Sequence, residues 1–290
     1  MLLLRLFRVK QWIKNFFIVI PFIFSGRFLE GDLWIVCFKA MLGFSFIASA
    51  FYILNDVIDR EKDRMHPIKS KRPIAAGQIS IGRAIVCTVL SLGVGALLIG
   101  SLDPSVWIMV LLYIFVQIIY NVLTKHWVIL DVLTVAAGFL IRVWIGALAI
   151  GVIPSMWLHL CVFVLAIFLG FTKRRYELAT LRSRASDHRR VLSEYTVRFL
   201  DQMIIICSTL AIVFYGLYTI SPEVTHRIGH AGLLYSVGFV IYGIFRYLYL
   251  VHVKKMGDDP GDLLLRDGPL LLNICAWLTF VMISIISAGK

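Results

Sequence analysis

Residues 33–63 read LWIVCFKAMLGFSFIASAFYILNDVIDREKD, and the stretch changes character abruptly after residue 54. Residues 33–54 carry a single charge, Lys39, whereas residues 55–63 carry four acids, Asp56, Asp59, Glu61 and Asp63. About 20 apolar residues are what a helix needs to cross the hydrocarbon core of a bilayer. The stretch therefore predicts a membrane-spanning helix that opens directly onto a cluster of carboxylates.

The same alternation recurs along the chain. Of 290 residues, 60% are hydrophobic and 16% charged, against about 25% charged in a soluble domain. A water-soluble fold of this size has too much surface to hide that much apolar matter. Apolar runs lie at approximately 15–30, 33–54, 79–100, 105–123, 127–150, 156–171, 199–220, 230–251 and 269–288. The prediction is an all-α, polytopic bundle of about nine transmembrane helices, forming one catalytic domain over 1–290. If the first run only dips into the interface, eight spans remain.

Charge placement orients the bundle. With the N-terminus in the cytoplasm, regions 1–14, 55–78, 124–126, 172–198 and 252–268 fall on that side and hold most of the 29 Lys and Arg. The opposite loops hold Arg227, with Arg27 and Lys39 near span ends. That is the positive-inside pattern. The net charge of +12 is thus explained by the membrane surface rather than by nucleic acid, for which no zinc-finger spacing is present. The N-terminus lacks the build of a signal peptide. It reads as an amphipathic lead-in, with Arg5, Arg8, Lys10 and Lys14 as anchors and Trp12 at headgroup depth. Cys37, Cys87, Cys161, Cys207 and Cys275 are scattered through apolar stretches and read as buried small hydrophobes.

Long, charged loops on one face place activity there, at about 55–78, 172–198 and 252–268. If the helix continues past residue 54, Asn55, Asp59 and Asp63 share a face, and Asp56 borders it. Oxygen donors stacked so closely repel one another unless a cation sits among them, and such a set suits Mg²⁺. Glu61 points elsewhere. Arg64, His66, Lys69, Lys71 and Arg72 follow at once, and a metal site beside a basic run suits a diphosphate.

Gln117, Tyr120 and Asn121 end the fourth run, followed by Lys125 and Asp131. Asp131 has two open readings, pairing with Lys125 or joining the metal site. Arg142 lies deep in the fifth run, where a charge marks a pathway, a buried partner or a bound anion. After the sixth run come Thr172-Lys173-Arg174-Arg175-Tyr176-Glu177-Leu178. The loop bases Arg182, Arg184, Arg189, Arg190 and Arg198 read as solvated or anchoring. Gly257, Pro260 and Gly261, among Lys254, Lys255, Asp258, Asp259, Asp262, Arg266 and Asp267, suggest a cover.

NDVIDREKD at 55–63 is similar to the NDxxDxxxD signature of the UbiA superfamily of membrane prenyltransferases. The resemblance implies a bundle around a central cavity open to the cytoplasm, with a diphosphate bound through Mg²⁺. That superfamily carries a second Asp-rich motif at the end of its sixth helix, where this chain has TKRRYEL at 172–178. The departure resembles the decaprenyl-phosphate phosphoribosyltransferase branch, as do RVKQWIKNFF at 8–17, HPIKSKRPIAAG at 66–77, LDVLTVAAGFLIR at 130–142, FRYLYLVH at 245–252 and LLLRDGPL at 263–270.

This second resemblance implies transfer of the 5-phosphoribosyl group from 5-phosphoribosyl 1-diphosphate to polyprenyl phosphate, a precursor step for lipid-linked arabinose and cell-wall polysaccharide. It implies a multi-pass protein of the bacterial inner membrane, with a homo-oligomer left open. Asp56, Asp59 and Asp63 would be catalytic, holding Mg²⁺ together with Asn55. Lys14, Asn15, Asn55, Lys69, Arg72, Tyr120, Lys125, Asp131, Arg142, Lys173, Arg174, Arg175 and Glu177 would meet the substrates. The lipid phosphate is already ionised, so its attack on ribose C1 needs no general base. The alternative is a UbiA-type transfer of a prenyl group to an aromatic or other small acceptor.

Overall fold

The computed structural model describes residues 2–65, 69–181, 190–228, 231–257 and 260–287. His66, Arg182, Arg184, Arg189, Asp258 and Asp259 lie outside the described residues, as do the side chains of Arg190, Arg227 and Asp262. Eight helices among the described residues are long and apolar enough to cross a membrane. They are α1 (Gly31–Ile58), α2 (Ile81–Gly100), α3 (Ser105–Val122), α4 (Leu130–Ala149), α5 (Met156–Leu181), α6 (Val197–Ile220), α7 (Val237–His252) and α8 (Gly268–Ser287). The seventh span is Ala231–His252, the 3₁₀ turn Ala231–Ser236 together with α7. Because successive crossings alternate in direction, the C-terminal ends of α1, α3, α5 and α7 share one face with the starts of α2, α4, α6 and α8.

The count of nine continuous spans is corrected. The first apolar run is broken into a 3₁₀ helix, Val9–Ile18, a short α-helix, Ile20–Phe24, and a 3₁₀ turn, Arg27–Leu29. It nevertheless follows α1 from end to end. Arg8 meets Asp56, the Trp12 indole donates to Ser49 Oγ at 3.0 Å, Asn15 donates to Ser45 at 2.8 Å, and Phe22 packs edge-on to Trp34. Trp12 and Arg8 are therefore part-buried against α1. Hydropathy sees an apolar run but cannot tell a continuous helix from a broken one.

Two more boundaries shift. The α5 helix does not stop near 171 but runs to Leu181, because Lys, Arg, Glu and Leu are good helix formers and Arg174 gains buried partners. Within the expected 252–268 loop, Pro260–Arg266 forms a short helix.

Burial sorts the bundle into inner and outer members. The most apolar windows of α1 and α4 are 50% buried, those of α3 and α8 only 17%. The first two therefore form the centre with the N-terminal segment, and the others offer wide apolar faces to lipid. Close approach is set by small residues. A Cβ on Gly95 of α2 would fall 2.8 Å from the Gly43 carbonyl oxygen of α1. Of the five cysteines, Cys37 and Cys207 are buried, while Cys275 is exposed on α8, contrary to its reading as a core residue.

Candidate active site

The acidic motif folds around a bend. The α1 helix ends at Ile58, Asp59 caps it, and a short helix, Arg60–Arg64, continues the path. Asp56 and Asp63 are seven residues apart, two helical turns, so they face the same way. Both are 3% exposed. One nitrogen of Arg72, Nη1, joins them, donating to Asp56 Oδ1 at 2.8 Å and to Asp63 Oδ2 at 2.6 Å. Arg8 donates to the same oxygen of Asp56. The acids that meet on one cation are thus Asp56 and Asp63, while backbone bonds from Asp59 to Asn55 at 2.9 Å and from Asp63 to Asp59 at 2.8 Å carry the helical path through the bend. Among the described residues no third acid, His or Cys gathers with them. Glu61 faces away, 72% exposed beside Arg64 at 3.1 Å.

The basic loop is folded back onto this seat. Arg5 donates to the Lys71 carbonyl at 2.6 Å, and Ile74 is fully buried in a cluster with Leu6 and Ile53. Lys69 begins the 3₁₀ turn Lys69–Lys71, whose hydrogen bond to Arg72 N–H aims the Arg72 side chain inward.

A separate cavity of about 240 Å³ opens beside the N-terminal segment. Its polar wall is Lys14, Tyr120, Lys173, Arg174 and Glu177. Its apolar wall is Ile13, Phe17, Val132, Val135, Phe139, Ala166 and Leu169. From Lys173 to Ala166 is seven residues, about 10 Å along α5, so the wall turns from charged to apolar with depth. Pro260, Gly261 and Leu264 line one side.

Arg174 is held rigidly. It is 5% exposed; Nε donates to Asp131 Oδ2 at 2.6 Å and Nη1 to Glu177 Oε2 at 2.7 Å. Asp131, 0% exposed, also accepts from the Tyr195 hydroxyl at 2.9 Å. The Asp131 readings are corrected accordingly, since its cation is Arg174, with neither Lys125 nor the acid pair. Lys125 makes no ion pair among the described residues. Tyr195 also accepts the N–H of Ile129 at 2.6 Å, pinning a residue forced to φ 70. Burial first, and then the Asp131 carboxylate, push the Tyr195 phenol well above its ordinary pKa, so it stays a hydrogen-bond donor.

Three residues expected to meet the substrates have protein partners away from the cavity. Arg175 donates to Asp201 of α6 at 2.6 Å and does not line the cavity; His252 of α7 meets the same oxygen at 3.2 Å. Arg142 is 5% exposed and gives its donors to Asn15, the Gly138 carbonyl and Tyr113. Asn15 is likewise buried against Ser45 and Arg142. Sequence reasoning missed Tyr195, which carries no motif, and did not pair Arg8 with Asp56.

The sequence pattern of the UbiA prenyltransferase family matches residues 18–261. This chain belongs to the UbiA prenyltransferase family. It is 31% identical over 280 residues to the decaprenyl-phosphate phosphoribosyltransferase of Mycobacterium tuberculosis (strain ATCC 25618 / H37Rv), covering 94% of this chain and 91% of that protein. It is 31% identical over 291 residues to the protein of the same name from Mycolicibacterium smegmatis, covering 95% and 90%. These similarities place it in that branch of the family. A UbiA homolog from Archaeoglobus fulgidus, solved with GPP and Mg²⁺, shares the fold with a TM-score of 0.70 at 16% identity, covering 98% of this chain and 99% of that one.

Proposed function

We propose that this UbiA family member transfers the 5-phosphoribosyl group of phosphoribosyl diphosphate to polyprenyl phosphate, from a face turned to the cytoplasm. The observation that carries the reading is the cavity wall on α5. Where the family's second acidic motif would stand, Lys173 and Arg174 face a pocket whose inner half is apolar. That arrangement suits a phosphate carried on an isoprenoid, and the relatives of known name act on such a lipid by their names.

The acid seat fits a hard cation, because its donors are carboxylate oxygens that converge on one cationic nitrogen. Mg²⁺, bound there with the donor, would draw charge from the leaving diphosphate. Asp56 and Asp63 are the residues that would hold it, with Asp59 and Asn55 beside them. Arg72 and Arg8 then have phosphate oxygens to bind in place of the carboxylates, with Lys69 a further cation on the same loop. Lys14 and Lys173 take the acceptor phosphate, and Tyr120 and Arg174 fix its orientation. Arg174 is set in place by Asp131 and Glu177, so its donors need no reorganisation as charge develops.

Arg8 of the seat caps the 3₁₀ helix that carries Lys14 of the cavity, and the six residues between them span about 12 Å. The two stations therefore lie within the length of a sugar carrying a diphosphate at one end. The first isoprene units rest on Ile13, Phe17, Val135, Phe139 and Leu169, and Pro260–Arg266 limits water at the reacting carbon.

Donor choice is tested by thermal unfolding in detergent with Mg²⁺. Phosphoribosyl diphosphate is expected to raise the unfolding temperature more than a prenyl diphosphate at equal concentration. The reverse order would favour prenyl transfer to a small acceptor.

A further inference from the structure

Arg142 sits twelve residues into α4, about 18 Å from its start, where a charge is costly. Among the described residues no carboxylate pairs with it. Its Nε donates to Asn15 Oδ1 at 2.9 Å and Nη1 to the Gly138 carbonyl at 2.7 Å. The rings of Phe44, Tyr113 and Phe139 lie 5.0, 5.0 and 5.3 Å from the guanidinium carbon.

What Arg142 holds is unusual. The 3₁₀ helix Val9–Ile18 is 10 residues long, whereas such helices rarely persist beyond three or four residues unaided. Its partner is α4, one turn of which offers Arg142 and Gly146. Asn15 meets Arg142, and the Ile18 carbonyl lies where a Cβ on Gly146 would be 1.8 Å away. The spacing matches. Three residues of 3₁₀ helix and four of α-helix both rise about 6 Å, so the two helices interlock in parallel register. In a 3₁₀ helix residues three apart eclipse. Asn15 and Ile18, both buried, thus form the face on α4, while Lys14 and Phe17 form the neighbouring face on the cavity.

We propose that Arg142 is a positioning residue, an intramembrane clasp that seats the broken N-terminal segment and so aims Lys14 into the cavity. The inference rests on reading that cavity as a substrate site, and it holds for either donor. Relaxation of the segment to an α-helix would turn each residue by about 100° in place of 120°, and Lys14 would no longer eclipse Phe17.

The test is a double-mutant cycle of Arg142→Gln and Lys14→Gln in full-length protein, assayed with whichever diphosphate donor the wild type turns over. Failure of the phosphoribosyl reading thus appears in the wild type, and failure of the clasp appears in the cycle. Each single change is expected to lower kcat/KM about ten- to hundredfold, chiefly through KM for the acceptor. The double variant should lose no more than the worse single, because both remove the same contact. Multiplied losses, or no loss for Arg142→Gln, would overturn the clasp. If Arg142→Gln does not fold, Gly146→Ala takes its place, since it displaces Ile18 with the Arg142 charge intact. The same non-additivity with Lys14→Gln is then expected, and multiplied losses again overturn the proposal.

Discussion

Asp56→Asn is expected to cut the transfer rate by two to three orders of magnitude while the protein stays folded in the membrane. The expectation comes from the shared seat. Asp56 is one of two buried carboxylates that meet on Arg72, and it alone also accepts from Arg8. Its neutralisation leaves two guanidiniums against one acid and removes a ligand from a site worth several kcal/mol of charge stabilisation, at about 1.4 kcal/mol per tenfold. Single-turnover rates across a Mg²⁺ titration separate the effects, because the half-saturating Mg²⁺ concentration should rise as the rate falls. Glu61→Gln, at an exposed acid two residues from the bend, serves as the control and should change neither. An Asp56→Asn enzyme with wild-type rate and Mg²⁺ dependence would remove the acid pair from the mechanism.

Arg174→Gln should be the most destabilising change in the site. It leaves Asp131, fully buried, with the Tyr195 hydroxyl but without its cation, and breaking a buried pair in this way costs about 3–5 kcal/mol. Activity should fall with stability, which alone would not separate scaffold from chemistry. The combination Asp131→Asn with Arg174→Gln does separate them. It removes both charges, so the unfolding temperature in detergent should recover most of its loss while transfer stays low, since the cavity still lacks its guanidinium. Recovery of both would make Arg174 purely structural, and an unchanged unfolding temperature in the single variant would contradict the buried pair itself.

Much of this architecture was legible in the chain because a bilayer imposes a simple rule on length and hydropathy. Every long helix follows from an apolar run, and the acids after the second run stand at the mouth of α1 as read. What the sequence hid was conformational or distant. Hydropathy is blind to the difference between 3₁₀ and α geometry, so the run at 15–30 read as a plain span. Helical periodicity grouped Asn55, Asp56, Asp59 and Asp63 without saying which acids share a cation, and the loop that folds Arg72 back joins Asp56 to Asp63. Asp131 finds Arg174 forty-three residues away, and spacing carries no trace of that pairing. The three bases at 173–175 looked equivalent, yet their helix sends Lys173 and Arg174 to the cavity and Arg175 to Asp201. Arg142 stood out by its depth alone, and its partners in the fold, an amide, a carbonyl and aromatic faces, leave no mark in a charge pattern.

The most direct measurement supplies the purified protein with phosphoribosyl diphosphate labelled in the ribose, a polyprenyl phosphate and Mg²⁺, then counts the lipid fraction. Label should enter the lipid, require both substrates and disappear when the metal is chelated. An unlabelled lipid fraction, together with prenyl transfer from a prenyl diphosphate to an aromatic acid by the same preparation, would contradict the account.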